Sequence, residues 1–134
     1  MLKIDIPYGL HDTTINEFLI EKSSIILCFH NGVYTLFNDK EVSLTKSCFV
    51  QLEICGFTLN NCYEHLEILQ YKKNKYFEIS IEQLIKDVKI LGFNVDIDFY
   101  SPFSRSILIR GFMGRMKTDI IISDIKGISI SFKE

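Results

Sequence analysis

The chain has 134 residues, of which 47% are hydrophobic and 24% are charged, a balance typical of one soluble globular domain and not of a disordered chain. Its formal net charge of −2 provides no electrostatic basis for binding nucleic acid, which requires the neutralisation of phosphates. We therefore expect a single domain over residues 1–134, with no nucleic-acid partner and no membrane partner.

An alternation of apolar and polar residues with period two recurs from residue 2 to residue 132. The start, Met1 to Ile6, follows this alternation instead of the unbroken apolar run of a signal peptide. No stretch has the length and apolar character of a membrane span. The sequence therefore predicts a cytoplasmic protein built mainly from β-strands.

The dipeptide Asn31-Gly32 lies between two runs of strand-forming residues. This arrangement predicts a two-residue hairpin with a type I′ turn, in which Phe29 faces Tyr34. Both faces of the hairpin are apolar, so we expect it to be central in the sheet. Ahead of it, residues 14–20 are predicted to form one strand.

Two further strand regions follow the hairpin. Residues 48–54 alternate cleanly, and the four residues expected to face the core are Cys48, Val50, Leu52 and Ile54. Residues 64–70 and 75–79 predict a second hairpin around a charged turn at 72–74, as expected for a solvent-exposed tip.

One stretch has helical instead of strand periodicity, and it predicts an amphipathic helix over residues 81–91. Ser80 is the expected N-cap, with the Gln83 side chain reaching back to it in a capping box. Leu84 and Val88 are expected to be buried against the sheet. Because only this stretch departs from the strand-like alternation, we expect one substantial helix.

Period two returns after the helix. Three more strands are predicted within 105–112, 117–122 and 128–132, separated by glycines. The fold class is therefore α+β: a mainly antiparallel, curved or sandwich-like sheet with one amphipathic helix at about 81–91. A further strand is predicted directly after the helix, over residues 93–99. The residues expected to face inward there are Phe93, Val95, Ile97 and Phe99, and those expected to face outward are Asn94, Asp96 and Asp98.

Three cysteines, Cys48, Cys55 and Cys62, recur every seven residues, and His65 follows. Seven-residue gaps do not build the compact knuckle that paired cysteines provide for zinc. We therefore expect reduced cysteines, no metal and no cofactor. If a metal were bound, Cys55, Cys62 and His65 would be its ligands.

Acidic and histidine side chains offer few catalytic combinations, and no catalytic residue is predicted. His11 and Asp12 are adjacent, and in extended backbone their side chains would point to opposite sides. Asp96 and Asp98 are two apart on one predicted face, a spacing at which carboxylates can share a metal or a proton. The alternative hypothesis is thus a small-ligand-binding or hydrolytic domain with a pocket in the curved sheet, using Asp96, Asp98, His65 or an arginine.

The segment 110–116 combines aromatic, methionine and arginine side chains with two glycines. Aromatic and arginine side chains supply large rigid contact area and planar hydrogen bonding in protein interfaces. We predict that this segment, including Arg110, contacts a protein partner or a second copy of the chain. Phe112 or Met113 would be the anchor, and Arg115 would lie on the polar rim.

Two motifs and one longer stretch share the layout of a known group of domains: Leu10-His11-Asp12-Thr13-Thr14-Ile15, Phe29-His30-Asn31-Gly32-Val33-Tyr34, and residues 76–99. They resemble small uncharacterised bacterial β-rich domains, some of them immunity proteins that neutralise a toxin from the same locus. The resemblance implies a β-rich fold and a protein partner and supplies no site residues. The leading hypothesis is a non-enzymatic cytoplasmic protein-interaction domain, in its narrower form an immunity protein that binds a toxin.

Overall fold

The computed structural model describes residues 8–37, 40–58 and 61–132, and it confirms an α+β fold of mainly antiparallel strands with one α-helix in the described part. The strands are β1 (Tyr8–Gly9), β2 (Thr14–Ile15), β3 (Glu17–Ile20), β4 (Ser24–Phe29), β5 (Tyr34–Phe37), β6 (Lys40–Leu44), β7 (Cys48–Ile54), β8 (Leu66–Lys72), β9 (Lys75–Glu78), β10 (Phe93–Ser101), β11 (Ser106–Met113), β12 (Met116–Ile122) and β13 (Ile125–Phe132).

The described strands form three sheets. The largest has six strands in the order β2-β10-β11-β12-β8-β9, the second has four in the order β13-β7-β4-β3, and the third is β1-β5-β6. Buried residues from the six-stranded and four-stranded sheets join in one hydrophobic cluster. These two sheets thus share a core, and each buries one apolar face in it.

The helix α1 (Ile81–Leu91) forms where the helical periodicity predicts it. The Ser80 Oγ accepts a hydrogen bond of 3.1 Å from the Gln83 backbone N–H, and Leu84 and Val88 are buried. The Gln83 side chain does not close a capping box, because its Nε2 donates to Asp87 Oδ1 one turn further along. Among the described residues, no helix combines the length and apolar character needed to cross a lipid bilayer.

The predicted Asn31-Gly32 hairpin is wrong, although the chain does turn there. Strand β4 pairs with β3 and β7, whereas β5 pairs with β1 and β6 in a different sheet. A type I′ turn needs positive φ at both central residues, and of the two only Gly32 has it, at 82°. A Cβ on Gly32 would lie 2.1 Å from the Thr45 carbonyl oxygen, so this glycine permits a close passage between sheets.

The single strand predicted for residues 14–20 is two strands joined at Asn16. Strand β2 pairs with β10, and β3 pairs with β4. The Asn16 Oδ1 accepts a hydrogen bond from the His30 backbone N–H at 2.8 Å, and its own N–H donates to Cys28 O at 2.7 Å. The chain therefore crosses from one large sheet to the other at this residue.

Two predicted strand regions are confirmed. In β7 the four residues expected to face the core are buried, and the strand pairs with β4 and β13. Strands β8 and β9 form the second hairpin, in which Lys73 and Asn74 have φ of 49° and 64°. Its charged tip is exposed, as the sequence predicts.

A β-bulge in β10 overturns the face assignment of that strand. The register with β11 shifts between Val95 and Ile97, so Asp96 is an extra residue with no partner of its own. Because side chains alternate with period two, one extra residue turns everything after it to the other face. Ile97 and Phe99 are consequently 46% and 62% exposed instead of buried, and Asp98 points inward.

Candidate binding surface

The side of the six-stranded sheet that faces away from the core is called the outer face here. The strand register brings its residues into rows that run across β10, β11, β12, β8 and β9. Residues that alternate with them, such as Ile109 and Ile120, are fully buried on the other side. The outer face consists of Ile97, Phe99, Leu108, Arg110, Phe112, Lys117, Asp119, Ile121, Glu67, Leu69, Tyr71, Tyr76 and Glu78.

A two-pronged ion pair lies in the middle of the outer face. Arg110 and Asp119 are opposite each other on β11 and β12, with Nε to Oδ1 at 2.9 Å and Nη2 to Oδ2 at 3.1 Å. The Asp119 side chain is only 8% exposed. The hydrogen bonds to Asp119 raise the pKa of the Arg110 guanidinium, which keeps this pair charged and fixed in one geometry.

Apolar and aromatic side chains surround this ion pair. Phe99 and Phe112 are exposed on β10 and β11, and Tyr71 and Tyr76 pack with ring centroids 5.2 Å apart on β8 and β9. The Lys117 Nζ lies 6.0 Å from the Tyr71 ring centroid, at the range of a cation–π contact. The exposed aromatic side chains therefore form one continuous surface and are not isolated.

The residues predicted for partner binding have different positions. Arg110 and Phe112 lie on the outer face, and Arg115 is exposed in the β11–β12 turn. Met113 is fully buried in the core, so its side chain is not available as an anchor. Gly111, the first glycine of the segment, lies within β11 and not in a loop. A Cβ on Gly111 would lie 2.0 Å from a carbonyl oxygen of β10, so the two strands approach closely there.

A group called the acidic corner here lies beside β10 and consists of His11, Asp12, Glu41, Asp96 and Asp98. The His11 Nδ1 is 3.1 Å from Asp12 Oδ2 and 3.1 Å from Glu41 Oε1. The expectation that His11 and Asp12 point apart is wrong, because Asp12 has φ of 61° in a turn and is not extended. A backbone hydrogen bond of 2.9 Å from Asp12 N–H to Val95 O ties this turn to the bulged strand.

The electrostatics of the acidic corner are dominated by carboxylates. The hydrogen bond to Glu41 is the main cause that raises the pKa of His11, and the charges of Asp12 and Asp96 act in the same direction. Burial raises the pKa of Asp98, with His11 and Glu41 as its charged neighbours. The bulge places Asp96 and Asp98 differently, so the predicted carboxylate pair on one face is wrong.

Metal ligation was expected, if anywhere, at Cys55, Cys62 and His65. Among residues 8–37, 40–58 and 61–132, the ligand atoms that come within 4.8 Å of one another belong instead to His11, Asp12 and Glu41. This nitrogen and oxygen donor set has the chemistry of a divalent-cation site, although all three side chains are exposed. The His65 Nδ1 contacts Asp124 Oδ2 at 2.8 Å.

The cysteines Cys28 and Cys48 are buried small side chains. Burial raises the pKa of the Cys28 thiol to about 11, and it also raises the pKa of Cys48. Both thiols are therefore protonated at neutral pH, and the thiolate form that binds metals and attacks electrophiles is scarce.

A cleft of about 350 Å³ joins the acidic corner to the outer face. Asp12 and Asp96 line it on one side, and Phe112 lines it on the other. Of the residues named for the alternative ligand-binding pocket, Asp96 alone lines this cleft. Asp98 points inward beside Ile109, and His65 lies with Asp124, so that predicted set does not converge.

Of the outer-face residues, only Arg110 and Phe112 were predicted from the sequence. Ile97, Phe99, Asp119 and Glu41 are among the residues of this region that were not. Ile97 and Phe99 were assigned to the core because the bulge has no recognisable sequence signal. A lone aspartate within the apolar run of β12 was the available signal for Asp119. Glu41 is thirty residues from His11, and only the folded chain brings the two together.

Comparison of this chain with protein-family models, with curated proteins and with solved structures finds no match. No relative therefore supplies a substrate, a partner or a site residue. The likeness to bacterial immunity domains stays a prediction, and function is inferred below from the surface geometry.

Proposed function

We propose that this chain is a non-enzymatic protein-interaction domain that binds a protein partner through the outer face. The observation that carries the proposal is the ring of exposed aromatic and aliphatic side chains around the Arg110–Asp119 ion pair. Continuous exposed apolar surface of this kind marks interaction sites on soluble proteins. Isolated exposed apolar residues, by contrast, are common and need no partner.

The ion pair suits the centre of an interface. An unpaired charge there would lose its hydration on binding without compensation, which costs several kcal/mol as an order of magnitude. Arg110 and Asp119 already satisfy each other, and Asp119 has lost most of its solvent contact in the unbound chain. A partner can therefore cover this pair at a small further cost, while Tyr71, Tyr76 and Phe112 supply rigid contact area.

Site-specific photo-crosslinking tests the proposal. A photoreactive phenylalanine analogue is introduced at Phe99 or Phe112 on the outer face, and at Phe103 as the matched control. Phe103 is 99% exposed in the β10–β11 turn and lies outside the outer face. The variants are irradiated both as purified protein and in lysate of the source cells.

Protein adducts at positions 99 and 112, at several times the yield at 103, are the expected result. Equal yields at all three positions in both preparations would show that the outer face is ordinary surface. An adduct with the product of a neighbouring toxin gene would support the narrower immunity function. In that case, co-expression of the chain should relieve the toxicity, and Phe112→Asp should abolish the relief.

A further inference from the structure

The outer face is charged oppositely at its two ends. One end is the acidic corner. The other end, called the basic end here, consists of Lys72, Lys73, Lys75, Arg115 and Lys117, of which all but Lys117 are exposed. Because β12 and β8 are antiparallel neighbours, the β11–β12 turn and the β8–β9 turn emerge at the same end of the sheet. This brings lysines and an arginine that are forty residues apart in sequence into one area.

The charge separation is large compared with the net charge of the chain. Asp12, Glu41 and Asp96 are exposed and contribute −3 with His11 neutral, against a net charge of −2 for the whole chain. The charged groups that raise the pKa of His11 are all carboxylates. No lysine or arginine contributes to the shift of the Asp98 pKa. Arg110 interacts with the corner through the charge of Asp96. The corner still has an excess of carboxylates and therefore favours a cationic group from outside.

One row of side chains connects the two ends. It starts at Asn94 beside the acidic corner and continues through Phe112 and Lys117 to Tyr71 and Tyr76. Neighbouring strands are about 4.8 Å apart, so the row spans about 19 Å over four strand intervals. A rotation of 180° about an axis that lies in the plane of the face, parallel to the strands and through the middle of the row, places a second copy on the face and exchanges the two ends.

We infer that the outer face binds a second copy of this chain in a two-fold dimer, with each acidic corner on the partner's basic end. This inference rests on the proposed function and names the partner. In a two-fold interface every contact occurs twice, so a surface with opposite charges at its ends is complementary to itself. The same rotation brings Phe112 onto the partner's Tyr71.

The area of the outer face is comparable with the area that a stable dimer buries on each chain. Five strands about 4.8 Å apart and seven residues of about 3.4 Å each give roughly 600 Å² in flat projection. Stable interfaces bury about 800 Å² of accessible surface on each partner, and protruding side chains raise the accessible area above the projection. The outer face is thus large enough to form most of such an interface.

A charge-exchange experiment tests the dimer. One variant carries Asp12→Lys and Asp96→Lys, and the second carries Lys72→Glu and Lys73→Glu. The mass of each is measured by sedimentation equilibrium, with circular dichroism to verify folding. Wild type should have twice the chain mass of 15.6 kDa, and each variant alone should be monomeric because two like-charged contacts result.

The mixture of the two variants is the decisive sample. In a heterodimer both contacts again join opposite charges, so equimolar mixing should restore the mass of two chains. The matched control is Glu21→Lys with Lys22→Glu, on the exposed turn before β4, and it should stay dimeric. If a reversal variant fails to fold, Asp12→Asn with Lys73→Gln replaces it and should weaken the dimer at least several-fold.

Each alternative result has a distinct meaning. A wild-type dimer that neither variant disturbs, or variants that do not recombine on mixing, would overturn the proposed pairing. A monomeric wild type would also overturn it. If Phe112 then crosslinks to a different protein in lysate, the outer face is still a binding surface, and the proposed function stands without self-association. If it crosslinks to nothing, both proposals are wrong.

Discussion

The two faces of the six-stranded sheet contain similar residues and have different surroundings. Ile109 and Ile120 are fully buried on the inner face, whereas their sequence neighbours Leu108 and Ile121 are half-buried on the outer face. Leucine and isoleucine occur on both sides of β11 and β12. Apolar content alone therefore does not identify the core side of this sheet, and the neighbouring layer decides it.

The two faces differ in charge at the centre of the sheet. At the position where the outer face has the Arg110–Asp119 ion pair, the adjacent inner row has Gly111 opposite Thr118, with no charge. The inner face is a packed interior that tolerates small residues at close contacts. The outer face has fixed charges, exposed rings and a cleft at one end, which are features of a surface that recognises another molecule.

The largest expected difference between the faces is the effect of truncation. Ile120→Ala leaves a cavity in the shared core and should lower the free energy of unfolding by about 2 to 5 kcal/mol. Ile121→Ala, one residue away on the outer face, should cost less than about 1 kcal/mol. Urea denaturation of both variants measures this. Equal losses would mean that the outer face is packed as tightly as the core.

The ion pair provides the second comparison. Arg110→Met leaves Asp119 with little solvent and no cation, and should lower the free energy of unfolding by about 1 to 3 kcal/mol at pH 7. Adding Asp119→Leu removes the stranded carboxylate and should recover most of that loss. Thermal unfolding of the two variants measures whether the loss of stability comes from the unpaired Asp119 carboxylate or from the lost packing of the Arg110 side chain. A double variant less stable than Arg110→Met would mean that the unpaired Asp119 carboxylate does not cause the loss.

The bulge can be tested by deletion. Removing Asp96 takes out the unpaired residue and keeps the register on both sides, so the protein should fold with a loss of about 1 to 2 kcal/mol. Removing Asp98 instead turns Phe99 and Tyr100 to opposite faces and should cost clearly more. Denaturant midpoints compare the two deletions. A more harmful deletion at 96 than at 98 would place the register shift elsewhere.

The smallest expected effect concerns His11 at the edge of the outer face. Glu41→Gln removes the strongest cause of its raised pKa, so the His11 pKa should fall toward the ordinary value of 6.5. Asp12, Asp96 and Asp98 remain beside it, so some elevation should persist. NMR titration of the imidazole resonances measures the pKa.

The sign of the accompanying stability change follows from linkage. Since the folded-state pKa of His11 is the higher one, the stabilisation by its protonated form is complete below 6.5 and is lost as pH rises through the folded value. Glu67→Gln, on the outer face away from His11, is the control and should leave the titration unchanged. An unaltered pKa in Glu41→Gln would mean that the two side chains do not interact in solution.

Local patterns predicted the elements that depend on neighbours in sequence. The helix at 81–91, the alternation in β7 and the turn at Lys73 and Asn74 follow from spacing, capping and turn propensity. Two features depend on distant residues and were not predictable. The chain changes sheets at Gly32, which lies against Thr45, and the bulge at Asp96 reverses the faces of β10.

The candidate site divides in the same way. Arg110 and Phe112 were predicted from residue type, and their strand places both on the outer face. Met113 was assigned to an interface from its residue type, yet strand alternation places it in the core. Glu41 and Asp119 join the region through tertiary contacts, which residue type and spacing do not encode.

The pairing of β2 with β10 has a consequence for how the chain acquires its structure. Thr14 lies opposite Asn94, with their side chains hydrogen-bonded at 2.8 Å, and β7 pairs with β13 near the end of the chain. Contacts between such distant residues require large loops to close first, which slows folding. During synthesis, neither large sheet can be completed until the second half of the chain has emerged. Strands β3, β4 and β7 can pair with one another early, whereas β2 and the second edge of β7 remain unpaired and exposed to aggregation until their later partners have emerged.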